Sequence, residues 1–388
     1  MNYISIDSTD AILIGSLALC FFIQLFYYLY FYAKPLRYQN KINKNKMQEQ
    51  TASTGNDSFP GVSVIISSQN ESQNLSKFLP SILEQDYENF EVIVINDNST
   101  DESDDILRQL EQKYSNLYGT YIPEGTKNVC HKKLALTVGI KAAKHDILLF
   151  TEANNQPLSK NWIKSMVENF DEKTEFVLGF SRINRFGLIA KFAEFDNLLI
   201  GLKYLSRAIM KRPYMGVGTN LAYRKQLFFE KKGFRKLNLQ FGEDDLFVNE
   251  FANRTNTKIE ISQEAITQSN IDSFKIWKDI KRCRQVTQSY YKGFENSLWR
   301  IEFLSRFLFW GLTAVTIFLF WETTYIPIFA GLLFFIKFII QYAVMNKSAK
   351  LLLVKPFRFS LLLFDLLQPA FNIYCYFYRM FRRKNDYV

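Results

Sequence analysis

Phe90-Glu-Val-Ile-Val-Ile-Asn-Asp-Asn-Ser-Thr-Asp101 is the stretch on which the fold turns. Its unbroken β-branched run, Val92–Ile95, suits a strand buried on both faces, and the polar string that follows ends the strand in a turn. Upstream, Val62–Ser67 repeats the pattern, and Leu75–Glu84 between the two has helical spacing. Downstream, Asp101–Tyr114 and Lys132–Ala143 read as helices and Asp146–Phe150 as a further strand. This alternating order predicts an α/β fold built on an open, mostly parallel sheet.

Ligands of such sheets lie beyond the carboxyl ends of the strands. Those ends read Ser67-Ser-Gln-Asn70-Glu71, Asn96-Asp97-Asn98-Ser99-Thr-Asp101 and Thr151-Glu152-Ala-Asn154, with an acid at each. Ser99 and Glu102 have the spacing of a capping box, and Asp101 suits the first turn of a helix. Capping leaves Asp97 unexplained; a ribose hydroxyl or a uracil N–H would give it a partner.

The 388 residues carry 48 Lys and Arg against 38 Asp and Glu, a net charge of +10, with 48% hydrophobic and 16% aromatic residues. That excludes a disordered chain and a small disulfide scaffold. The basic residues gather beside long apolar runs, so the charge points to a membrane surface and not to nucleic acid. Cys20, Cys130, Cys283 and Cys375 form no C-x-x-C pair, and His131 and His145 lack ligand spacing, so a reducing compartment and no zinc site are expected.

Ala11–Tyr32 has no charged side chain over 22 residues, enough to span a bilayer and too long for the apolar core of a signal peptide. Lys34, Arg37, Lys41, Lys44 and Lys46 follow, which places residues 1–10 outside and the rest of the chain on the cytoplasmic side. The expected order is then a polar linker at 33–58, a cytoplasmic domain at 59–300 and a spanning hairpin at 303–345. That hairpin contains Arg306 and Lys337 and turns at Glu322–Pro327. Residues 346–388 hold a basic loop, the apolar stretch Phe359–Tyr378 and a basic tail with Arg379, Arg382, Arg383 and Lys384. Asp365, Gln368 and Pro369 make that last stretch an interfacial or re-entrant helix in preference to a further span. Arg182–Tyr214, apolar and basic by turns, suggests a helix lying against the membrane.

From about Val62 to Tyr291 the chain resembles the inverting nucleotide-sugar glycosyltransferases of family 2, in particular their membrane-anchored branch. Val62-Ser-Val-Ile-Ile-Ser-Ser-Gln-Asn-Glu71 is similar to the family's opening strand, and Asp97-Asn-Ser-Thr-Asp101 to its D-x-S-x-D signature. The resemblance implies a GT-A-like nucleotide-binding sheet with Asp97 on uridine. Lys132-Lys-Leu-Ala-Leu136 resembles the segment that sets a cation near the donor diphosphate, although an exposed lysine at a helix start would look the same. The family's D-x-D, which holds Mg²⁺ or Mn²⁺, stands here as Glu152-Ala-Asn154, one formal charge poorer and hence a weaker metal site.

Gly216-Val-Gly218-Thr219-Asn220 resembles the acceptor-side loop, and Gly242-Glu243-Asp244-Asp245-Leu246 the motif that supplies the general base. Asp244 is the favoured base, with Asp245 and Glu243 as the alternatives; an acidic start to a helix at Leu246–Arg254 is the bland reading. Asp279-Ile-Lys-Arg282-Cys283, after Trp277, keeps only the arginine of the family's Q-x-x-R-W, which argues against processive synthesis. Arg282 is then either a diphosphate partner or part of a basic interfacial helix with Lys275, Lys278, Lys281 and Arg284. The implied donor set is Ser67, Asn70, Glu71, Asp97, Asn98, Lys132, Glu152, Asn154 and Arg282, with Mg²⁺ or Mn²⁺ on Glu152 and Asn154. The implied activity transfers a sugar from a nucleotide-sugar donor, a UDP-sugar, to a lipid-linked or glycan acceptor at the bacterial cytoplasmic membrane. The competing reading is a catalytically impaired scaffold working with partner subunits.

Overall fold

The computed structural model of the chain describes residues 8–49, 60–122, 131–184, 187–237, 239–271, 273–323 and 325–380. Residues 1–7, linker residues 50–58, Cys130 and the tail residues Arg382, Arg383 and Lys384 lie outside them.

The N-terminal helix α1 (Ser8–Phe26) passes through a π-helical stretch, Tyr27–Tyr32, into α2 (Lys34–Glu49). The polar segment expected to be a linker from residue 33 is therefore helical up to Glu49. Its Lys, Gln, Met and Glu residues are good helix formers, and Pro35 falls in the first turn, where its missing N–H costs nothing.

The sheet begins with β1 (Val62–Ser68), α3 (Ser72–Leu83), β2 (Phe90–Asn96), α4 (Ser103–Lys113), β3 (Leu117–Tyr121), α5 (His131–Ala142) and β4 (Ile147–Glu152). β1 pairs in parallel with β2 from Val62↔Phe90 to Ser68↔Asn96, and with β4 from Val62↔Ile147 to Ser67↔Glu152. Ile65, Ile93 and Ile95 pack on one face with Ala135 and Ile140 of α5. Val64, Ile66, Val92 and Val94 pack on the other with Leu75 and Leu79 of α3 and Leu107 of α4. Helices on both faces are why these strands read as continuous apolar runs.

The second half holds β5 (Asn155–Pro157), α6 (Trp162–Val167), β6 (Phe176–Leu178), β7 (Ser181–Ile183), α7 (Gly187–Ile209), β8 (Leu221–Arg224) and α8 (Lys225–Glu230). α9 (Asp245–Phe251), β9 (Thr257–Ile259), β10 (Thr267–Ser269) and α10 (Phe274–Gln288) follow. Among the described residues seven strands form a mixed, mostly parallel sheet in the order β3-β2-β1-β4-β8-β6-β9, with β8 antiparallel to both neighbours. The chain reverses its direction of travel across the sheet between β1 and β4, and the crevice there is where such folds take ligands. A small sheet, β5-β10-β7, flanks it.

α7 lies within Arg182–Tyr214, the segment expected to form a helix against the membrane. Its residues from Phe192 to Ala208 are largely buried, Glu194, Asp196 and Arg207 among them, and it packs against the π-helical stretch, α10 and α13 (Ser360–Met380). α11 (Glu295–Leu319) and α12 (Tyr325–Leu351) precede α13. Among the described residues three helices are long and apolar enough to cross a membrane: Ser8–Asn45, Glu295–Leu319 and Tyr325–Leu351. α13 is not one of them. Its Asp365 instead meets the charges of the hairpin, ion-paired with Lys337 and lying 3.6 Å from Arg306. Arg306 also pairs with Glu302, whose second oxygen takes Lys203 at 3.1 Å. Gln368 of α13 donates to Asp196 of α7 at 3.2 Å, and Asp196 is paired with Lys281 of α10.

Candidate active site

The loops after β1 and β2 lock into each other. Asn70 and Asn98 both adopt left-handed backbone, with φ of 54° and 48°. The Asn70 N–H donates to Ser99 Oγ at 2.9 Å, and Asn70 Oδ1 accepts the Thr100 N–H at 2.8 Å. Asp101 binds both helix starts at once, accepting the Ser72 N–H of α3 at 2.9 Å and the Ser103 N–H of α4 at 3.1 Å. Burial pulls its carboxyl up, but the donors of Ser103 and Ser72 outweigh it and hold the group at about 2. The capping box expected of Ser99 and Glu102 does not form, because Asp101 supplies the acceptor and Ser99 turns to Asn70. Asn70 and Glu71 thus spend polar groups on loop architecture, Glu71 accepting from Asn74. Asn98 stays exposed.

This clamp presents Asp97, which is 6% exposed, at the strand tip, where its Oδ1 lies 2.9 Å from Nδ1 of His131 on the first turn of α5. His131 was given no role in the sequence reading; its place directly before Lys132 was the available signal. One residue on, the Lys132 ammonium lies 2.8 Å from Glu152 Oε1 and 2.9 Å from Glu243 Oε1. Burial disfavours its charge, but Glu152, Glu243 and Asp244 overcome that and hold its pKa well above the ordinary value. Lys133 turns inward to the carbonyl oxygens of Leu237 and Leu239.

The three acids at residues 243–245 have three different environments. Asp245 is buried, with Oδ1 accepting the Leu246 N–H at 2.7 Å and Oδ2 accepting from Tyr291 Oη at 2.7 Å and from Thr287 Oγ1. Burial, then the charge of Asp244, raises it to about 7 despite those hydroxyls. Glu243 is also buried, which would raise it, but Lys132 holds it below the ordinary carboxylate value. Asp244 is half-buried; it accepts the Gly218 N–H at 2.7 Å and the Asp245 N–H at 2.7 Å and lines the cavity. Burial and the Glu243 charge push its carboxyl up.

Gly218, expected on the acceptor side, is therefore the residue that positions Asp244, and a Cβ there would meet Asp244 at 3.4 Å. Thr219 lines the cavity. Asn220 does not; it is buried beneath it, donating to the carbonyls of Phe180 at 2.9 Å and Ala265 at 2.8 Å and accepting from Trp162 Nε1 at 3.1 Å. Its contacts are architectural.

A cavity of about 450 Å³ opens from Lys132, Glu152 and Asp244 towards α7 and α10. Trp277, Ile280, Arg284 and Thr287, one face of α10, form its far wall. Arg282 points elsewhere, 7% exposed and 3.1 Å from Asp279. The cavity receives Arg284 instead, whose guanidinium lies over the Trp277 ring at 5.6 Å and whose Nη1 is buried with no hydrogen-bond partner among the described residues. Helical spacing from Trp277 would have chosen Arg284, seven residues on, over Arg282. Ser67 lines a smaller pocket beside Lys132, Glu152 and Asp244.

No group of three or more His, Cys, Asp or Glu side chains placed to hold a metal occurs among the described residues. Glu152 and Asn154 still fit a hard cation. Asn154 Oδ1 is buried without a hydrogen-bond partner among the described residues, and such a cation needs only one or two protein carboxylates when substrate phosphates complete its shell.

Residues 63–230 match the model of glycosyl transferase family 2. The chain carries a glycosyl transferase family 2 domain. Among the relatives of this glycosyltransferase, a dolichyl N-acetyl-α-D-glucosaminyl phosphate 3-β-D-2,3-diacetamido-2,3-dideoxy-β-D-glucuronosyltransferase of Methanococcus voltae is 25% identical over 263 residues, 62% of this chain and 78% of that one. A poly-β-1,6-N-acetyl-D-glucosamine synthase of Staphylococcus aureus is 27% identical over 143 residues, 36% of this chain and 33% of the synthase. The chain thus spans about a third of the synthase. A mannosyltransferase of Pyrobaculum calidifontis, solved in complex with GDP-Man and Mn²⁺, superposes with a TM-score of 0.58 at 17% identity over 96% of this chain and 98% of that one, which establishes the shared GT-A fold.

Proposed function

We propose that this glycosyltransferase moves one sugar from a UDP-sugar to a hydroxyl of a lipid-linked or membrane-proximal acceptor, with inversion, on the cytoplasmic face of a bacterial membrane in envelope glycan or glycolipid synthesis. The observation that carries the reading is the position of Asp244. It stands between the charged residues at the strand ends and the apolar-walled cavity under α7 and α10, half-buried and with its pKa raised. A carboxylate so placed takes the acceptor proton as the hydroxyl oxygen attacks the anomeric carbon, while the nucleotide diphosphate leaves from the opposite side.

Asp97 meets the nucleoside, with His131 fixing its carboxylate. Lys132 and Arg284 carry the positive charge that the diphosphate needs, and the aromatic and aliphatic wall of Trp277, Ile280 and Phe180 receives the acceptor. Mg²⁺ or Mn²⁺, held by Glu152 and Asn154, would supply Lewis-acid stabilisation of the leaving diphosphate. Gly218 keeps Asp244 oriented through its N–H, and the Asp245 N–H does the same from α9.

The test is calorimetric titration of the detergent-purified protein with UDP, with and without Mn²⁺, repeated on Asp97→Ala, followed by a sugar-donor screen with Asp244→Asn as control. Binding of UDP to the parent and its loss in Asp97→Ala is the expected result. Absence of UDP binding under both conditions overturns the donor assignment.

A further inference from the structure

The Lys132 ammonium bridges two carboxylates. Glu152 Oε1 at the end of β4 and Glu243 Oε1 just before α9 both lie within 2.9 Å of it. Glu243 is 7% exposed, and its second oxygen, Oε2, is buried with no hydrogen-bond partner among the described residues. Asn154 Oδ1, in the wall of the same cavity, is likewise buried and unpartnered. Without the ammonium, the Glu152 and Glu243 carboxylates would lose their shared partner beside Asp244, with Asn154 in the wall of the same cavity, and carboxylate and amide oxygens are the ligand chemistry of a hard divalent cation.

We infer that Lys132 masks a divalent-cation site in which Glu243 is a ligand, so that the cation enters only together with the nucleotide diphosphate. The inference rests on the donor site proposed above. An ammonium and a dication cannot share Glu152 Oε1, since their repulsion at such a separation is large even with partial screening. A diphosphate offers Lys132 a new partner and offers the cation the further oxygens it needs. Lys132 can make that exchange because its side chain is 44% exposed on a flexible stem, whereas Lys133 beside it is tied to two backbone carbonyls. The arrangement also accounts for the altered motif: the charge absent at Asn154 is restored from across the crevice by Glu243.

The experiment measures Mn²⁺ uptake by the full chain in detergent, from the loss of the free-ion paramagnetic resonance signal, with and without UDP. The parent is expected to take up Mn²⁺ only with UDP. Lys132→Met is expected to bind Mn²⁺ without nucleotide, about a hundredfold more tightly than the parent does. Adding Glu243→Gln should erase that gain, and Lys132→Arg should keep the mask; Lys132→Ala replaces the Met variant should the latter fail to fold. Parent protein that binds Mn²⁺ equally with and without UDP, no gain in Lys132→Met, or a gain that survives Glu243→Gln overturns the inference while leaving UDP binding intact. Loss of UDP binding by the parent itself overturns the donor reading, and the masked site with it.

Discussion

Two clusters of buried charge lie in this molecule, one at the strand ends and one among the membrane-side helices, and they are built on opposite rules. In the second, each acid meets a cation: Asp365 takes Lys337 and Arg306, and Glu302 takes Arg306 and Lys203. In the first, Glu152 and Glu243 share Lys132, Asp244 and Asp245 are held by N–H and hydroxyl donors, and Glu243 Oε2 has no hydrogen-bond partner among the described residues. A closed cluster holds helices together; on the function proposed above, the open one takes its charge from a ligand. The difference separates structural ionisable residues from functional ones where burial alone would not.

The sharpest way to break the comparison is Asp244→Asn. Transfer should fall by about 10²–10⁴-fold in kcat with UDP affinity unchanged, as measured by turnover and calorimetry side by side. Asp365→Ala should do the reverse, because it leaves Lys337 and Arg306 buried without their shared acid. A loss of about 3 kcal/mol is expected from denaturation in detergent, partly recovered in Asp365→Leu/Lys337→Met. Arg284→Ala should weaken donor affinity by about tenfold, the value of a charge-assisted hydrogen bond, while Arg282→Ala leaves it within twofold.

The smallest effect expected is one of pH. Asp245 is raised to about 7 in the folded protein, so its contribution to stability is present in full below the ordinary carboxylate value and fades as pH rises through about 7. Melting temperature should therefore fall more steeply between about pH 3.8 and about pH 7 in the parent than in Asp245→Asn, and level off above that range. Activity follows the other sign. As the proposed base Asp244 would act unprotonated, so kcat/KM should drop as pH falls through its raised value.

The strands were legible because burial on both faces leaves a continuous apolar run, and Asp97, Glu152 and Asp244 stood out as candidates because a strand tip or loop has few other uses for an acid. What escaped depended on competition between neighbours. Asp101 displaced Ser99 from its expected cap because it reaches two helix starts. Asn220 reads like a substrate ligand, yet it satisfies backbone groups that no sequence pattern reveals as buried. Arg282 and Arg284 differ only in which side of α10 faces the cavity, and that rotation is set by contacts such as Lys281 with Asp196 on a distant helix.

The π-helical stretch at Tyr27–Tyr32 has a mechanical meaning. Tyr27 Oη donates to the Leu298 carbonyl at 2.6 Å, and Ser206 Oγ donates to the Phe31 carbonyl at 2.6 Å, so this turn is fastened both to the start of α11 and to α7. The anchor is thus a strut and not a leash. A domain mounted on a strut holds its base at a fixed height above the lipid, and each residue added to the helix above the fastening would lift that height by about 1.5 Å and turn it by about 100°. On the function proposed above, the strut would set how far from the lipid an acceptor hydroxyl must reach.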